Sequence, residues 1–151
     1  MSAKNLAALG LAAAAGLLVA ACGSASGQAE QAPATVKPIA GSRVAQVQLS
    51  APAIHRLGIL TQPVRVAAGP GSGRVGHRTE IPYSAVVYDT DGSTWTYVAA
   101  AERAFVRNRV SIAAIDGRTA ILTTGPAVGA QVVTVGAPEL LGTEYDISGE
   151  E

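Results

Sequence analysis

The stretch "IPYSAVVYDTDGSTWTYVAA" (residues 81–100) restricts the fold more than any other part of the chain. Two β-rich runs flank Asp89-Thr90-Asp91-Gly92. Asp side chains there can accept local backbone N–H bonds, and Gly92 accepts positive φ, so the segment reads as strand, tight turn, strand. The second run alternates, placing Trp95 and Tyr97 on one face and Thr94, Thr96 and Val98 on the other. Trp95 is the only Trp in the chain, and there is one Phe. Two uses of these rings follow. They anchor a small core, or they stand on an exposed face and grip a partner.

Further strand runs flank this hairpin. "RVAQVQLS" and "ILTQPVRV" precede it, with Pro63 marking an edge or a bulge. "FVRNRVSIAAI", "RTAILTT" and "AQVVTVGA" follow, separated by Asp116-Gly117 and by Gly125-Pro126 with Gly129. Between the first two runs, Ser50 is an N-cap, Pro52 sits in the first turn and Gly58 suits the left-handed C′ position. These predict one short helix. Short strands at close spacing predict a mainly β domain, a small barrel or roll.

The first 21 residues are read apart from the fold. Lys4, an apolar run over residues 6–19 and the small residues after it make a secretory signal pattern. Val19-Ala20-Ala21-Cys22 resembles the bacterial lipobox, in which cleavage precedes a cysteine whose thiol receives diacylglyceryl. Cys22 is the only cysteine, and acylation supplies a use for an unpaired thiol in an exported chain. Residues 22–42, rich in Gly, Ser, Ala, Gln and Pro, read as a flexible tether. Residues 43–141 are expected to form the β-domain and residues 142–151 a mobile acidic tail. The expected location is the extracytoplasmic face of a membrane, lipid-anchored through Cys22.

Eleven Lys+Arg balance eleven Asp+Glu, so charge gives no case for nucleic acid. His55 and His77, without clustered carboxylates, make a poor metal set. Ser84 lacks a G-x-S-x-G elbow, and "GPGSG" lacks the Lys of a phosphate loop. Asp89 and Asp91 lack the other ligands of a calcium loop. No enzyme, metal or cofactor is expected.

The run from Pro82 onward resembles periplasmic adaptor subunits (membrane fusion proteins) of RND-type efflux pumps. The matching pieces are Pro82-Tyr83-Ser84-Ala85-Val86, the Trp-x-Tyr-Val of residues 95–98, the Phe-x-Arg-x-x-Val of residues 105–110 and residues 125–141. One departure is Pro126, where those proteins commonly carry Leu. Residues 47–64 resemble the N-terminal entry of the same proteins. The resemblance implies a membrane-proximal domain, with residues 67–73 standing where barrel, lipoyl and helical-hairpin parts would be inserted. It also implies docking on an RND or other exporter such as an ABC transporter, and Trp95 and Tyr97, read above as rings that could grip a partner, are the candidate partner contacts. The alternative is a lipoprotein that binds a small ligand or an envelope component on the same scaffold.

Overall fold

The computed structural model describes residues 32–68 and 78–148. Cys22, His77 and most of the 67–73 linker lie outside the described residues. Among the described residues, eleven strands form two antiparallel sheets. The larger contains β1 (Ala34–Pro38), β2 (Ala45–Leu49), β3 (Leu60–Pro63), β6 (Val87–Tyr88), β7 (Thr94–Ala101), β8 (Ala104–Arg109) and β11 (Gln131–Val135). Its order is β1-β2-β8-β7-β11-β3, and β6 shares the outer side of β7 with β11. The smaller contains β4 (Arg65–Val66), β5 (Thr79–Pro82), β9 (Ser111–Asp116) and β10 (Thr119–Thr124), ordered β4-β5-β10-β9. The mainly β prediction holds, but the sheets do not close into a barrel.

Side-chain alternation explains the layers. Tyr97 on β7 and Val133 on β11 enter one buried cluster, with Val47, Leu49 and Phe105. Their chain neighbours Val98 and Val132 enter the second, with Ile81, Val110 and Leu122. Successive residues of a strand point to opposite faces, so the larger sheet is the middle layer. The smaller sheet covers one face, and two helices cover the other. The run "FVRNRVSIAAI" leaves one sheet for the other at Val110, which is why it splits into β8 and β9.

The first helix, α1 (Ala51–Leu57), forms where predicted. Ser50 Oγ accepts the Ala53 N–H at 3.3 Å, and Gly58 terminates the helix at φ 61°. The second, α2 (Ala137–Ser148), corrects the sequence reading, since residues 142–148 belong to a helix and not to a mobile tail. Its N-terminal residues Ala137 and Leu140 are fully buried in the first cluster. Burying a side chain such as Leu140 contributes roughly 1.5–3 kcal/mol, enough to hold a short helix against the sheet. Gly136 precedes it at φ 89°, and a Cβ there would overlap the Ile59 side chain. Only glycine fits that entry.

The tether expected over residues 22–42 also needs correction where it is described. β1 pairs with β2, placing Val36 opposite Val47 and Ala34 opposite Leu49. Both side chains pack against the first cluster. Pro33 and Pro38 gave this segment a linker-like composition, yet proline is tolerated at an edge strand. The folded body therefore begins before Arg43.

One buried polar atom lacks a partner. Thr96 Oγ1, on the fully buried centre of β7, makes no hydrogen bond among the described residues. Replacing it with an isosteric apolar group removes the desolvation cost of the hydroxyl. Thr96→Val should therefore raise unfolding stability by about 1 kcal/mol, read from the urea midpoint at unchanged slope. A loss of stability would show that the hydroxyl has a partner.

Candidate functional site

Arg107 organises the helix-covered side of the hairpin. It sits on β8 opposite Tyr97 of β7, and its side chain is only 6% exposed. Nε donates to Glu144 Oε1 at 3.0 Å, while Nη1 donates to Asp89 Oδ2 at 2.8 Å and to the Tyr145 hydroxyl at 3.0 Å. The Tyr97 hydroxyl donates to Glu144 Oε2 at 2.6 Å, and the Ala45 backbone N–H donates to Oε1 at 2.9 Å. Tyr145 in turn donates to Asp89 Oδ1 at 2.6 Å. One guanidinium thus joins the hairpin turn, through Asp89, to α2, through Glu144 and Tyr145.

Aromatic rings enclose the same cation. The Arg107 guanidinium carbon lies 4.9 Å from the Trp95 ring centroid and 5.2 Å from that of Tyr145. Both are within cation–π range. On the outer side, exposed Arg109 pairs in register with Trp95 and lies 5.9 Å from its centroid. Trp95 is half-buried, with its indole N–H donating to Ser93 Oγ at 2.7 Å.

The electrostatics describe a lock. The hydrogen bond from Tyr145 lowers the pKa of Asp89, assisted by the Thr90 N–H and Arg107. Tyr97 is raised by burial and then by its bond to Glu144, and Tyr145 by its bond to Asp89. Burial opposes the charge of Arg107, yet the Tyr145 and Glu144 contacts leave it above its ordinary value. These groups hold their charge states through neutral pH, and none is a nucleophile activated by a base.

A depressed carboxylate makes stability pH-dependent with a definite sign. The stabilisation from Asp89 is complete above its unfolded pKa of about 3.9 and is lost as pH falls through the lower folded value. Asp89→Asn should therefore be less stable than the parent at pH 7, with the difference shrinking below about pH 4. Thermal unfolding of both chains from pH 7 to pH 2 reads this directly. A pH-independent difference would remove Asp89 as its source.

The structure separates the two rings named from the sequence. Tyr97 is fully buried, so its ring is a core anchor whose hydroxyl serves Glu144, and it presents no surface to a partner. Trp95 stays half-buried, with exposed Arg109 5.9 Å from its ring centroid. His55 is exposed on α1, and no group of three or more His, Cys, Asp or Glu placed to hold a metal exists among the described residues. Asp91 Oδ1 accepts the Ser93 N–H at 2.8 Å, a turn-closing bond. Sequence reasoning missed Glu144 and Tyr145 by assigning them to the tail. The signal was the pair Leu140 and Glu144 at helical spacing after Pro138, a residue favoured in a helix's first turn.

A second feature is an open cleft of about 460 Å³ where the two sheets meet, lined by Gln62, Pro63, Arg65, Glu80, Tyr83 and Arg118 among others. Neither Arg65 nor Arg118 makes an ion pair among the described residues, and both are exposed. Comparison with protein-family models, curated proteins and solved structures finds no match to this chain.

Proposed function

We propose that this chain is a membrane-anchored lipoprotein, acylated at Cys22 on the extracytoplasmic face, that docks on and modulates an RND or other exporter. The observation that carries the docking surface is Trp95. It is half-buried, lies within cation–π range of both Arg107 and Arg109, and is fixed to a platform that Arg107 and Glu144 hold together. A held aromatic ring beside an exposed Arg is the composition that anchors protein interfaces, because little side-chain entropy remains to be lost on binding. The adaptor-like motif around residues 82–98 supplies the class of partner, and Cys22 supplies the membrane. No catalytic step is part of this reading.

Affinity purification from detergent-solubilised membranes should recover an integral-membrane transporter, identified by mass spectrometry. Arg109→Glu, in register with Trp95, should abolish recovery while costing no more than about 1 kcal/mol of stability, the worth of one exposed cation–π contact. Transporter recovery that persists in Arg109→Glu, or recovery of the bare chain alone, would refute docking through this surface. Intact mass of the membrane-extracted protein tests acylation separately, and an unmodified Cys22 thiol would remove the anchor.

A second reading has its own observation in the cleft. Arg65 and Arg118 suit an anionic group, and Ile81, Pro63 and Pro82 supply apolar wall. Calorimetric titration with benzoate and with inorganic phosphate tests it, the expected result being binding lost in Arg65→Ala combined with Arg118→Ala. Heat that is unchanged in the double variant would dismiss it.

A further inference from the structure

The outermost strands of the two sheets are not equally protected against pairing. β1 ends in Lys37 and Pro38, β3 ends in Pro63, and β4 has two residues, one of them Arg65. Proline, cationic side chains and brevity are the usual ways an edge is kept from pairing with another chain. β9 has six residues, "SIAAID", with no proline and no cation, and Ile115 is 51% exposed.

The register of β9 gives this edge a further property. Ala114 pairs with Ile121 and Ile112 with the next residue, Leu122, so Ala113 is an extra residue, a β-bulge. Residues three apart point to opposite faces of a regular strand. Here Ile112 stands opposite Leu122 and Ile115 opposite Ala120, both of which face the second core cluster. The bulge thus turns both isoleucines to the core side of the sheet. Ile112 packs against the cluster, and Ile115 stays exposed.

The run Ile112-Ala113-Ala114-Ile115 also reads the same in both directions. Two antiparallel copies related by a twofold axis normal to the sheet place Ile112 of each beside Ile115 of the other. The alanines fall at the axis, and Ser111 lies beside Asp116. Such an axis requires paired positions to share a face, and the bulge meets that requirement. A bulge by itself twists an edge away from partners, but the twofold brings two matching twists together. We propose that β9 pairs with β9 of a second copy of this chain, joining the two four-stranded sheets and covering Ile115. The contact is isologous, so it closes as a dimer and does not propagate into a fibre.

The test uses the full chain in membranes with single added cysteines. After mild oxidation, Ala113→Cys and Ala114→Cys, both at exposed positions, should each give a species of twice the chain's mass that reductant releases. The parent chain, with Cys22 alone, and Thr61→Cys on the β3 edge should not. Adding Ile115→Lys to Ala113→Cys should cut the cross-linked fraction about tenfold, since the twofold counts each lost apolar pair twice. It should still unfold in a single cooperative transition, which separates loss of pairing from loss of fold. Monomer in both cysteine variants overturns the proposal. So does cross-linking of Thr61→Cys to the same extent, indifference to Ile115→Lys, or capture of a chain of different mass.

Discussion

Arg107→Met should destabilise the protein by about 3–5 kcal/mol, the range for removing one partner of a buried ion pair. The reason lies mainly with what is left behind. Glu144 is 4% exposed and Asp89 12% exposed at the side chain. Without the guanidinium, Glu144 loses its Nε donor and Asp89 its Nη1 donor, and two carboxylates are left without the cation between them. Methionine replaces much of the aliphatic volume, so the loss cannot be assigned to a cavity. The companion variant Arg107→Met with Glu144→Leu and Tyr97→Phe should recover part of the deficit, because it removes the Glu144 carboxylate and the Tyr97 hydroxyl with the guanidinium, while Asp89 and the Ala45 N–H stay. Denaturant midpoints measure both, and Trp95 is the single tryptophan that reports on the stacked ring. If Arg107→Met alone costs less than about 1 kcal/mol, the network is a surface decoration and the rigid-platform argument fails with it.

This network also shows where sequence stops being informative. The hairpin, α1 and its caps, and the strands on either side of Gly117 were readable because each depends on local chemistry. Asp89 and Asp91 supply turn acceptors, Gly92 takes φ 79° and Gly58 takes φ 61°. The alternation of Trp95 and Tyr97 placed both on one face, and both do pack toward the same cluster. Their different exposure was not readable, because it depends on which of them α2 covers. β1 was hidden for a related reason. "ATVKP" becomes a strand only because Val47 and Leu49 lie alongside to receive Val36 and Ala34. Arg107, Asp89 and Glu144 are separated by 18 and 37 residues across their two bonds. Nothing local distinguishes such a trio from three solvated charges.

A chain ending at Leu141 should therefore lose about 5 kcal/mol, the upper end of the range for Arg107→Met, because three deficits arise together. Glu144 departs, leaving Arg107 without its Nε acceptor and the Tyr97 hydroxyl without one inside the core. Tyr145 departs, removing a ring from the guanidinium and a donor from Asp89. What remains of α2 is residues 137–141, too short to hold helix by propensity alone. A loss of this size approaches the whole stability of a small domain, so the truncated chain should melt near or below room temperature with red-shifted Trp95 emission. Glu144→Gln separates the causes: it keeps an acceptor for Tyr97 and keeps the helix while removing one charge, so its loss should fall between the parent's and the truncation's. If the truncated chain unfolds at the parent's midpoint, residues 142–148 are the mobile tail that composition suggested. The platform beneath Trp95 would then have to be held by the strands alone.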